Sequence, residues 1–131
     1  MKRGVGGVLF KGGKILLGKR ASDRRIYPNV WDIIGGHSLP DEEPEHTLAR
    51  ELQEEINITP KKFRKLGVLN ELQPDLFGER EYHVYIITEW SGKDPTALGD
   101  EHSEIGWFSI EEAIRLDLAH PGYIELFKTI N

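Results

Sequence analysis

The sequence predicts an α+β fold in which helices pack around a mixed sheet. The chain opens on a hairpin, with "VGGVLF" and "ILLGKR" flanking "KGGK". Two longer strand-like runs, "KKFRKLGVLNEL" and "REYHVYIITEW", follow each other further on, joined through "QPDLFGE". The helical segments fall between and after these strands without strict βαβ alternation, which disfavours a doubly wound parallel sheet. The 131 residues suit one domain, 1–131, with a single organisation and no repeat or linker.

In order, Gly12 and Gly13 supply the positive φ that a tight hairpin turn needs. Their spacing matches neither the Walker pattern nor GxGxxG, so a phosphate loop is not expected there. "ASDRRIYPN" is a polar loop, and "VWDII" a short strand ending at Gly35-Gly36. A helix begins with Pro44 in its first turn and ends near Asn57, a residue that tolerates the left-handed conformation of helix ends. "SGKDPTALGDEHSE" is a long polar loop, and "IGWFS" a strand. Ser109 and Glu112 form a capping box for "IEEAIRL", and "PGYIELFKTI" is a last short helix.

Composition excludes several functions. The chain has no cysteine, which removes disulfides, thiolate metal sites and a cysteine nucleophile. A cytoplasmic location fits this. The net charge of −5 and the lack of a basic cluster argue against stable nucleic-acid binding. No apolar run approaches membrane-spanning length, and the basic start is too glycine-broken for a signal peptide.

The helix after Pro44 is the chemical clue. At about 100° per residue, Glu51, Glu54 and Glu55 share one stripe while Leu48, Leu52 and Ile56 form another. Like charges one turn apart repel. The plain reading is a solvated acidic face. The alternative is a hard divalent cation, because Mg²⁺ binds through a few carboxylates together with substrate phosphates.

The spacing selects between them. The stretch reads Gly36, five residues, Glu42, seven residues, Arg50-Glu51-Leu52, one residue, Glu54-Glu55, one residue, Asn57-Ile58. This resembles the Nudix box, GX5EX7REUXEEXGU, with U a bulky apolar residue. Asn57 stands in place of a glycine, a mild departure. "WDIIGG" resembles the family's W-x-x-P-G-G segment, with Ile34 in place of proline, and "EIGWFSIEE" resembles its late strand and helix.

The resemblance implies an α/β/α sandwich around a mixed sheet. It also implies hydrolysis of a nucleoside diphosphate linked to another group, with Mg²⁺ as cofactor and Mn²⁺ as a substitute. Glu54 and Glu55 resemble the main metal ligands. Glu51 is a further ligand or the base, and Gly35 offers its carbonyl to the metal. Arg50 points away from the carboxylate stripe and pairs with Glu42, while Gly36, Glu42 and Asn57 are structural. Glu101 resembles a late-loop ligand of the MutT type, with Glu104 as competitor and ordinary loop charge as the plain alternative. Arg20 resembles an arginine that meets substrate phosphates in that type. Arg24 and Arg25 read as surface cations.

Tyr27 and Phe77 are candidates for stacking on a base, against plain edge-of-core packing. His120 is a candidate base contact, against a histidine bound to backbone. His37, His46, His83 and His102 show no metal-site spacing and read as structural or solvated. The expected activity is that of a nucleoside triphosphate pyrophosphohydrolase, extending to oxidised purine nucleotides. ADP-ribose or another sugar nucleotide is the alternative substrate, and a non-catalytic nucleotide-sensing domain the alternative role. An isomerase of isopentenyl-diphosphate type shares the fold but needs a cysteine. The expected partner is a small-molecule nucleotide, and the expected assembly a monomer or homodimer.

Overall fold

The computed structural model describes residues 2–130, so the end residues of the expected 1–131 domain lie outside it. Strand β1 (Lys2–Lys11) turns into β2 (Lys14–Arg20), with Lys11 opposite Lys14. Gly12 and Gly13 both take positive φ, +60° and +78°, the mirror-image turn that suits a twisted two-residue hairpin.

The expected single strand "VWDII" is instead two short ones, β3 (Trp31–Asp32) and β4 (Ile34–His37). β4 runs through the glycine pair because Gly35 lies opposite Gly6 of β1. A side chain on Gly35 would overlap the Val5 carbonyl and the Gly6 backbone. Helix α1 (Pro44–Ile56) starts on its proline and stops at Asn57, which is left-handed (φ 58°, ψ 42°) and returns its N–H to the last turn.

Strands β5 (Thr59–Asn70) and β6 (Arg80–Ser91) pair antiparallel. Their link contains one helical turn, α2 (Pro74–Phe77), where the sequence suggested plain connection. β7 (His102–Ser109) begins before the expected "IGWFS" because His102 pairs with Arg20 beyond an irregularity in β2. Ser109 and Glu112 then close the expected capping box on α3 (Ile110–Ala113). α4 (Tyr123–Lys128) completes the elements. The seven-stranded sheet runs β3-β2-β1-β6-β5, with β4 also on β1 and β7 on β2. β1 is parallel to β6 and antiparallel to β2 and β4, so the sheet is mixed.

Strand alternation divides the core in two. Val5, Leu9, Leu16, Tyr85 and Ile87 face Leu48, Leu52 and Ile56 of α1. Val8, Ile15, Leu17, Val84 and Ile86 face the other way, toward Ala113, Tyr123, Phe127 and Ile130. The result is the expected sandwich, a sheet between helical layers.

Candidate active site

A cavity of about 450 Å³ opens where β1, β4 and α1 meet the loop 21–30. Its lining includes Gly35, Gly36, Arg50, Glu51, Glu55 and Glu101. On the other side it is lined by Asp32, Glu71, Arg80, Tyr82, His120 and Tyr123.

Helix α1 delivers its carboxylates to different environments. Burial of the leucine stripe draws Glu55 inward, to 4% exposure, and both its carboxylate oxygens are buried without a protein partner. The Glu54 side chain is 57% exposed and meets Arg50 at 3.4 Å. Glu51 lies between these extremes. Burial raises its pKa, Arg50 opposes the rise, and Glu54 and Glu101 add to it.

Arg50 does not point away from the carboxylate stripe. Its Nη1 donates to Glu51 at 3.0 Å, while Nε and Nη2 both donate to Glu42 at 2.9 Å. A planar guanidinium can bind both at once, which an ammonium cannot do in the same geometry. Nη2 also reaches the His37 carbonyl, at 3.0 Å, which ties the end of β4 to the helix.

Arg50 and the N–H of Leu39 hold the Glu42 carboxyl down at about 2, from an ordinary 4.5. A depressed carboxyl contributes its stability above the unfolded value and loses it as pH falls through the folded one. The melting temperature of wild type should therefore exceed that of Glu42→Gln at pH 6. The gap should close between pH 4.5 and 2. A gap that persists unchanged at the acid end would contradict this coupling.

The two glycines of β4 serve different ends. A Cβ on Gly36 would sit 2.5 Å from the Glu51 carboxyl carbon. That obstacle is the mobile end of a side chain, whereas at Gly35 it is backbone. Gly36→Ala should fold with little loss of thermal stability yet lower turnover strongly, by displacing Glu51. Wild-type turnover in a folded Gly36→Ala protein would show that Glu51 does not need this position.

The other candidates are placed as follows. Arg20 donates to the carbonyls of Ile26 and Tyr27 and pairs with Asp32 at 3.3 Å, which fastens the 21–30 loop over the cavity. Arg24 lines the cavity and meets Glu101 at 3.4 Å. Glu104 is exposed on β7, opposite Lys19. Tyr27 lines the cavity, donates to Glu71 at 2.6 Å and packs edge-on against Phe77, which is not part of the lining. His120 donates from Nε2 to the Asn70 carbonyl at 2.8 Å and accepts the Gly122 N–H at Nδ1, so both ring nitrogens meet backbone. His37 and His102 also line the cavity. Burial lowers the pKa of each; neighbouring cations add to this at His37, while at His102 Glu101 opposes it.

Sequence reasoning missed the inner wall. Asp32 accepts the Tyr123 hydroxyl at 2.7 Å and the Ile33 N–H at 2.8 Å. Burial raises its carboxyl, against the pull of Tyr123 and Arg20. Burial would likewise raise Glu71, but the Tyr27 and Tyr82 hydroxyls and the N–H groups of Gln73 and Leu72 outweigh it, and its pKa is lowered. A charged residue inside an apolar strand was the available signal. Asp32 interrupts "VWDII", and Arg80 shares a strand face with Val84 and Ile86.

Among the described residues, no three acidic or histidine side chains converge as a ready-made cage. The orphaned oxygens of Glu55, with Glu51 beside the Gly36 backbone, nonetheless fit a hard cation with oxygen ligands. Among these residues too, no helix is long and apolar enough to cross a membrane.

Comparison with known proteins agrees with this geometry. The NUDIX domain profile matches residues 1–130. The chain is 30% identical over 119 residues to the nucleoside triphosphatase NudI of Enterobacter sp. (strain 638), covering 85% of this chain and 84% of that protein. It is also 30% identical over 114 residues to diphosphoinositol polyphosphate phosphohydrolase 3-alpha of Mus musculus, covering 78% of this chain and 63% of that longer protein. The fold superposes on a crystal structure of a MutT NUDIX hydrolase from Burkholderia pseudomallei with a TM-score of 0.87 at 26% identity, over 99% and 98% of the two chains. The chain belongs to the Nudix family. It is a pyrophosphohydrolase of that family, whose members act on nucleoside diphosphates linked to a further group and generally use divalent metal ions such as Mg²⁺.

Proposed function

We propose that the chain is a Mg²⁺-dependent nucleoside triphosphate pyrophosphohydrolase, releasing nucleoside monophosphate and pyrophosphate. The observation that carries this reading is the buried Glu55 carboxylate with two unpartnered oxygens, lying at the cavity beside Glu51. Glu55, Glu54 and the Gly35 carbonyl would hold the cation, with Glu101 approaching from the late loop and Glu51 left free as the base. A divalent cation supplies charge neutralisation to phosphate oxygens and lowers the pKa of water.

The chain's own groups do the rest. Arg50 fixes the Glu51 carboxylate in one orientation. Burial moves the Glu51 pKa upward, with Arg50 opposing the rise. Glu51 takes the proton of the attacking water as the water oxygen bonds to phosphorus. The phosphoric anhydride bond breaks, and its oxygen leaves with the pyrophosphate. Arg20 holds the loop that carries Arg24 and Arg25. Arg24, tied only to a half-exposed Glu101, is the freer cation to meet the phosphates. The name of the NudI relative, a nucleoside triphosphatase, supports a triphosphate substrate.

The test is a nucleotide panel with Mg²⁺ and with Mn²⁺, products resolved by chromatography. It should contain the common and oxidised purine triphosphates, ADP-ribose and other sugar nucleotides. Pyrophosphate and monophosphate from a triphosphate are expected. Cleavage restricted to sugar nucleotides would reassign the substrate, and binding without cleavage across the panel would make the domain a sensor.

A further inference from the structure

We propose that the C-terminus of α1 grips the loop between β6 and β7 and so aims Glu101 at the α1 carboxylates, which makes Leu98, through its backbone N–H, and Gly99 positioning residues of the cation site; this rests on the reading of Glu101 as a late-loop ligand given above. Residues 92–101 join the end of β6 to the start of β7. The last carbonyls of a helix have no partner inside it. Here the Leu98 N–H donates to the Glu55 carbonyl at 2.7 Å, and the Thr96 N–H to the Ile56 carbonyl at 3.2 Å. Glu55 therefore serves twice. Its side chain lines the cavity, and its main chain holds the loop that carries Glu101.

The path from this grip to Glu101 is short. Only Gly99 and Asp100 stand between Leu98 and Glu101. That much chain spans at most about 10 Å. Gly99 turns it with a left-handed φ of +69°, and a Cβ there would meet nothing within 4 Å. Conformation alone, and not space, therefore calls for glycine. On the far side the Glu101 carbonyl accepts the Ala21 N–H at 3.0 Å. Between these two holds the Glu101 carboxylate meets Arg24 at 3.4 Å. Glu101 lines the cavity, near enough to Glu51 for its charge to raise that carboxyl.

A carboxylate on a free polar loop would have to be ordered before it could hold a cation, and that ordering opposes binding. A loop already tied to the helix bearing the other ligands has met this cost during folding. Groups that fix a ligand in this way govern metal affinity without touching the metal. Plain capping of α1 is the competing role for the same two bonds. A cap shows in the stability of the apo protein alone. A grip that acts through Glu101 shows in cation affinity, and only while residue 101 carries its charge.

The experiment is calorimetric titration with Mg²⁺ on wild type, Leu98→Pro, Leu98→Ala, Gly99→Ala, Gly99→Asn and Glu101→Gln. Leu98→Pro and Gly99→Ala are also each combined with Glu101→Gln. Proline deletes the N–H at position 98, whereas Leu98→Ala keeps it. Gly99→Ala strains the left-handed turn, whereas asparagine tolerates it. Leu98→Pro and Gly99→Ala should each weaken Mg²⁺ binding about tenfold, the low end of what loss of a ligand-fixing partner does. Leu98→Ala and Gly99→Asn should bind nearly as wild type. In the Glu101→Gln background neither Leu98→Pro nor Gly99→Ala should weaken binding further, since groups acting through one another do not add. Wild-type affinity in folded Leu98→Pro and Gly99→Ala, or the same weakening in the Glu101→Gln background, would overturn the proposal. Should Leu98→Pro fail to fold, the Gly99 pair decides. Glu101→Gln with unchanged Mg²⁺ affinity removes Glu101 as a ligand and takes the grip with it. Weakening by Glu101→Gln but not by Leu98→Pro or Gly99→Ala sinks the grip alone.

Discussion

Glu55→Gln should lose turnover by orders of magnitude while the apo protein melts at or above the wild-type temperature. The two effects have one origin. Glu55 is 4% exposed, and neither carboxylate oxygen has a protein donor. A buried charge without a partner costs on the order of several kcal/mol, and the neutral isostere removes that penalty while keeping the volume. The same change deletes a candidate cation ligand. Wild-type protein should gain melting temperature on adding Mg²⁺, since a ligand that binds only the folded state stabilises it. Glu55→Gln should lose most of that gain. Calorimetric melts with and without Mg²⁺, alongside a turnover assay, check both halves. Near-wild-type turnover, or an undiminished Mg²⁺ response, would remove Glu55 from the cation site.

Glu51→Gln should lower kcat at least about a hundredfold while changing KM much less, the signature of a group that acts mainly in the transition state. The substitution keeps nearly the same volume against Gly36 and removes the charge. General base catalysis is worth about 10²–10⁴-fold, which sets the scale. The Mg²⁺ concentration for half activity separates the two roles open to Glu51. It should stay near wild type if Glu51 serves only as base and rise if it is a ligand. A KM increase at unchanged kcat would mean that Glu51 only binds substrate.

The parts of the site that were readable in the sequence are local. The limits of α1 follow from Pro44 and Asn57, and the Arg50–Glu42 pair from the box that the stretch resembles. The capping box at Ser109 is local in the same way. What escaped depends on pairing across long separations. Tyr27 meets Glu71 across 44 residues and Tyr123 meets Asp32 across 91. Such contacts exist only once the sheet is assembled. Arg50 was misjudged for a different reason. A helical wheel places its Cα, while its long side chain folds back to reach Glu51 and Glu54.

Strand alternation gives this small domain a division of labour. The helix bearing Glu51 and Glu55 packs on one side of the sheet, and Tyr82, Tyr123 and Ile33 belong to the other. Substitutions far enough apart to share no partners usually combine additively. Changes at Tyr82 or Arg80 can therefore accumulate without disturbing α1. The cavity is thus walled by two sets of side chains that belong to different cores.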